Sequence, residues 1–175
     1  MIASVPLDDA TASEATSALE VLFRTEQRSL VRLATLLLGD RGAAEEVVQD
    51  AFVKLHLSWR RVREPDRAAA WLRSAVLNGA RSQLRRRAVR RRHPEVAMGD
   101  AAAADVGALA GEEHARVMAA LRQLPVRQRE ALVLRYYADL SEAEIAAAMG
   151  VSTGSVKTHA HRGLAALAEL LGEDR

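Results

Sequence analysis

The chain has 175 residues and 19.0 kDa, room for one ordinary domain or two small ones, and its 49% hydrophobic and 27% charged residues exclude wholesale disorder. It has no cysteine, which excludes disulfides and thiolate metal sites. It also has no apolar stretch long enough to span a bilayer, and its acidic start, MIASVPLDDA, lacks the build of a secretory signal. The net charge of +2 hides an uneven distribution: residues 60–93 carry twelve arginines against Glu64 and Asp66, net +10, whereas residues 1–59 and 94–112 are each net −4.

Residues 1–17 are small, polar and acidic and are expected to form a disordered tail. Leu19, Leu22, Phe23, Leu30, Leu33, Ala34 and Leu37 then recur at helical spacing up to the turn pair Gly39-Asp40. A second helical stripe follows in Ala44, Val47, Val48, Ala51, Phe52, Leu55 and Trp59. Pro65 disfavours helix in the residue before it, so Glu64-Pro65-Asp66 breaks the chain. A third helix is predicted from about Arg67 to Arg87. Gly79 inside it costs roughly 1 kcal/mol relative to alanine, which points to close packing or to close approach of a ligand. Arg81, Arg85, Arg86, Arg87, Arg90, Arg91 and Arg92 have no acid among them, and so dense a cationic run is best tolerated against a polyanion. From about 88 to 111 the periodicity fails; Pro94, Gly99, Gly107 and Gly111 among acids predict a flexible acidic linker over 94–112.

In the last third, Val117, Leu121 and Leu124 mark a short helix. Pro125 opens the next, which is expected to bury Leu132, Val133 and Tyr136. Ser141 and Glu144 have the capping-box spacing, and the helix they open ends at Gly150, a left-handed cap. Ser152 caps a final helix with Val156, Ala160, Gly163, Leu164, Leu167 and Leu171 on one side. Two short capped helices joined at Gly150-Val151 form a helix-turn-helix signature. Gly154, Ser155, Thr158, His161 and Arg162 project together from the second helix, with Lys157 at their edge, a polar face suited to a DNA groove. The five histidines sit at spacings that cannot chelate a metal together, and no nucleophile, phosphate-loop or dinucleotide pattern occurs, so neither a cofactor nor an enzyme is expected.

Two stretches resemble a known family: GDRGAAEEVVQDAFVKLHLSWRRV with AAWLRSAVLNGARSQLRRR, and LPVRQREALVLRYYADLSEAEIAAAMGVSTGSVKTHAHRGLAAL. They are similar to regions 2 and 4 of the extracytoplasmic-function (ECF) bacterial sigma factors, the promoter-specificity subunits of RNA polymerase, and look most like the actinobacterial SigE family. The resemblance implies an all-α fold of two small helical domains, 18–93 and 113–175, joined by the linker. It implies that Glu46, Val47, Gln49, Asp50 and Lys54 grip the coiled coil of the largest polymerase subunit, with the flap region as a second contact. It implies that Trp71, Asn78, Arg81, Arg85, Arg86 and a loop over Glu64–Ala70 face the −10 element. Ser152, Gly154, Ser155, Lys157, Thr158, His161 and Arg162 would serve the −35 element. Core polymerase and promoter DNA are the expected partners, an anti-sigma factor is a further one, and the expected location is cytoplasmic. The alternative is a free-standing helix-turn-helix regulator of the LuxR type.

Overall fold

The computed structural model describes residues 9–62, 65–92 and 111–172, and the linker expected at 94–112 falls almost wholly outside them. Among the described residues there are seven α-helices and no strand. Helices α1 (Asp9–Leu38), α2 (Arg41–Val62) and α3 (Pro65–Arg92) pack mutually. Their core holds Leu37, Leu55, Leu72 and Leu77, all fully buried, each contributing about 1.5–3 kcal/mol. Gly39 ends α1 with φ +68, and the Asp40 carboxylate accepts from the Ala43 amide (3.0 Å) to open α2.

Helices α4 (Glu112–Gln123), α5 (Val126–Tyr136), α6 (Glu142–Met149) and α7 (Thr153–Leu171) form a second group around α5, which packs against α1, α6 and α7. The expected caps are present. Ser141 and Glu144 form the reciprocal capping box, Gly150 closes α6 at φ 67, and the Ser152 hydroxyl accepts from the Ser155 amide to start α7.

Several expectations shift. Helix α1 begins at Asp9, well inside the expected tail, because Ala10, Ala12 and Ala15 favour helix and the acids around its start suit the helix dipole. Residues 65–70 form the first turns of α3 and not a loop, since a proline is well tolerated at a first helical position; Glu64 lies outside the described residues. Helix α3 also continues to Arg92, where a cationic last turn complements the dipole. Phe23 lies at the rim of the core, edge-on to Phe52 with centroids 5.1 Å apart. Tyr136 and Leu164 are exposed: α5 buries Arg129–Leu134 and ends at Tyr136, so its last residue projects beyond the packed turns.

The two groups touch. Helix α3 lies on α6, and α1 lies on α4 and α5. The buried apolar cluster is continuous through both.

Candidate nucleic-acid interface

The residues expected to bear function fall on three faces. On α2, Glu46, Gln49, Asp50 and Lys54 are exposed along one side of the helix. Val47 is not: it is 5% exposed, because its side chain fills the gap left by Gly79 of α3. A Cβ on Gly79 would stand 2.7 Å from Val47 Cγ1, so this glycine serves helix–helix packing and not approach of a ligand. Val47 therefore sets the spacing of α2 and α3 from inside.

Between those helices runs a cleft of about 390 Å³ whose lining includes Asp50, Lys54, Trp71, Asn78, Ser82 and Arg86. Trp71 and Asn78, seven residues apart, come to the same cleft as expected for two positions separated by two turns. Trp71 is half-buried against the core and Asn78 is exposed. The cleft thus brings residues expected to hold polymerase beside residues expected to hold DNA.

The cationic stripe of α3 is not free of acids once folded. Arg87 donates to Asp40 (2.8 Å) and to the Leu38 carbonyl (3.1 Å), closing the C-terminal end of α1. Arg81 donates twice to Glu130 of α5, Nε to Oε1 at 2.6 Å and Nη2 to Oε2 at 2.8 Å. Part of the repulsion read from sequence is therefore answered within the chain. Arg85 reaches the Ser82 hydroxyl (3.1 Å), and Arg85, Arg86, Arg90, Arg91 and Arg92 all stay exposed.

On α7, Gly154, Lys157, Thr158, His161 and Arg162 are exposed on one side while Val156, Ala160 and Gly163 are buried. A Cβ at Gly154 would meet only the Ser152 hydroxyl, at 3.9 Å, so no packing demand explains this glycine. Ser152 and Ser155 share a hydroxyl contact (2.9 Å) and Thr158 donates back to the Gly154 carbonyl (3.0 Å). The hydroxyls are thereby held to the helix, and the long reach belongs to Lys157, His161 and Arg162. Lys157 lies 3.5 Å from Glu142 of α6, which also faces Arg135 at 3.7 Å.

Sequence reasoning missed Arg129 and Glu130. Both are buried in α5, flanking a run of apolar residues, and two adjacent charges on a short, wholly buried helix segment were the available signal. Arg129 donates to the carbonyls of Leu37, Arg122 and Leu124, so it ties α5 to the end of α1. Burial, with a smaller push from Arg122, holds its pKa below the usual guanidinium value, while Glu130 opposes the change. No group of histidines and carboxylates among the described residues has the geometry of a metal site, and no helix among them is long and apolar enough to cross a membrane.

Two family models match the chain, sigma-70 region 2 over residues 22–90 and sigma-70 region 4 over residues 114–167. The chain is 33% identical over 159 residues to the RNA polymerase sigma-E factor of Streptomyces coelicolor, covering 87% of this chain and 85% of that one. It is 34% identical over 155 residues to the ECF RNA polymerase sigma factor SigM of Mycobacterium tuberculosis, covering 89% and 78%. Among solved structures it is similar to the sigma factor RpoE in complex with the anti-sigma factor NepR from Bartonella quintana, with TM-score 0.67, 25% identity, and coverage of 96% of this chain and 100% of that one.

Proposed function

The chain belongs to the ECF RNA polymerase sigma factors, which bind core polymerase and direct it to promoters, and from that premise we propose how its own residues divide the work. The exposed row Glu46, Gln49, Asp50 and Lys54 of α2 holds the coiled coil of the largest subunit. The cleft beside it takes the melted −10 strand, with Trp71 as a stacking surface and Asn78 offering both a donor and an acceptor to a base edge. Arg85 and Arg86 hold the adjacent phosphates. Helix α7 enters the groove at the −35 element, where Lys157 and Arg162 are the side chains that reach bases or backbone. Gly154 and the first turn of α7 admit a phosphate closely. The observation that carries this reading is the agreement between the two matched regions and the two exposed polar faces, on α3 and on α7.

The chain acts without a catalytic group or cofactor of its own, in the cytoplasm, where its polymerase is. An anti-sigma factor is its regulator, by analogy with the complex of the Bartonella sigma factor. The LuxR-type regulator leaves the match of residues 22–90 to sigma region 2 without a role and is not favoured.

Asn78→Ala tests the division. It is expected to retain polymerase binding and double-stranded −35 contact but to lose open-complex formation, and a pre-melted −10 bubble should restore only part of the activity. Wild-type rates of promoter opening would remove Asn78 from the site.

A further inference from the structure

Arg81 stands on the helix assigned to the −10 element, yet its side chain is only 15% exposed and faces the other half of the molecule. Its two bonds to Glu130 are joined by a third, longer one to the Met149 carbonyl (3.4 Å), at the C-terminal end of α6 where the helix dipole is negative. Glu130 is completely buried and is also reached by Arg127 (3.3 Å), which itself donates to Met149 O (3.1 Å). Asn78 is drawn into the same set, because its amide oxygen accepts from Arg81 Nη1 (2.9 Å). Two neighbouring contacts tighten the seam: Arg129 binds the Leu37 carbonyl, and the Arg122 side chain lies over Gly39, where a Cβ would meet its Cδ at 2.6 Å.

We propose that this seam is an autoinhibitory latch: Glu130 occupies Arg81, and through it Asn78, so that the free chain is closed against single-stranded DNA until a strand displaces the carboxylate. The inference rests on the assignment of Arg81 and Asn78 to the −10 site. The chemistry suits a contact that must open. A carboxylate chelating a guanidinium in two places presents the same geometry as a phosphate, so a nucleic-acid strand can replace it. A buried ion pair also contributes little net stability relative to its two solvated partners, so separation costs little once both ends are satisfied elsewhere. The faces of α2 and α7 stay exposed in the closed form, so the latch acts on the −10 face alone.

The chain has no cysteine, so Leu57→Cys and Leu170→Cys, at exposed positions in the two helical groups, accept a spin-label pair without background. In this full-length protein, pulsed spin-label distances should form one narrow, short population. Glu130→Gln should shift it to a broad, longer one and tighten binding of a short fluorescent AT-rich single strand by about tenfold, as expected when a closed form populated at about nine in ten is released. Adding Arg81→Gln to Glu130→Gln should keep the long distances and abolish the gain. If Glu130→Gln does not fold, Arg81→Gln alone should show the long distances, and the oligonucleotide should drive the otherwise wild-type labelled chain to them. Unchanged distances in the latch variants, or an opened chain that binds the strand no better, would overturn the proposal. Promoter-dependent transcription with core polymerase tests the site assignment separately. A chain that transcribes but never opens sinks the latch alone, and one that opens but never transcribes sinks the assignment.

Discussion

Val47 and Gly79 show how one contact fixes the distance between the polymerase face and the DNA face. Valine is stiff at χ1, so it cannot swing away from a new methyl group 2.7 Å from its Cγ1. Gly79→Ala gains about 1 kcal/mol of helix propensity but incurs about 1–3 kcal/mol of overpacking. We predict a net loss of stability in denaturant titrations, recovered when Val47→Ala is added, and an additive double mutant would contradict the contact. At the other end of the chain, Glu144 has its pKa lowered, first by the hydrogen bond to the Ser141 hydroxyl and then by that to the Ser141 amide. A depressed carboxylate stabilises the fold fully above its unfolded-state pKa and ceases to do so as pH falls through the folded value. Ser141→Ala should therefore cost about 1 kcal/mol near neutrality, and the gap from wild type should narrow as pH falls below the usual carboxylate range. A gap independent of pH would mean that Glu144 takes no part in the cap.

Each helix that bears function separates a packed side from an exposed one, and substitutions on the exposed sides should alter partners without unfolding the chain. Asp50 is exposed on α2. Asp50→Arg should leave the melting curve unchanged and lower core-polymerase affinity at least about tenfold, or about 1.4 kcal/mol. Equal affinity would exclude this face. On α7, Arg162→Ala should cost about 1–3 kcal/mol and relax preference at one promoter position if Arg162 reads a base. Lys157→Ala should weaken all sequences alike and lower the salt slope by about one if Lys157 touches phosphate; its exposed pairing with Glu142 holds it only weakly. Promoter libraries selected by each variant distinguish the two, and unchanged output from both would mean that α7 does not face DNA. These elements were largely legible in the sequence because their signals are local. Gly39, the Ser141–Glu144 box, Gly150 and Ser152 each encode a boundary within a few residues, and the exposed side of α7 follows from helical period alone. The start of α1 and the end of α3 were not, because alanine-rich and arginine-rich segments extend a helix without adding an apolar stripe.

At the scale of the whole molecule, the sequence left the relation of the two helical groups unread. The contacts that join them connect positions 49 and 92 residues apart, Arg81 with Glu130 and Leu37 with Arg129, through polar groups that leave no periodic trace. Burial of Val47 was hidden for a related reason: its stripe was visible, but its partner was a glycine on another helix. What the fold accomplishes is to put a polymerase-binding row and a strand-binding cleft on one packed unit and a groove-reading helix on another, the arrangement a promoter-directing subunit requires. Run-off transcription on genomic DNA fragments, with core polymerase in the presence and absence of the chain, tests this most directly. Discrete starts should appear only when the chain is added, and they should share upstream sequence at two separated positions, the distal one altered by Arg162→Ala and the proximal one dependent on Asn78. A core polymerase that initiates identically with and without the chain would contradict the account.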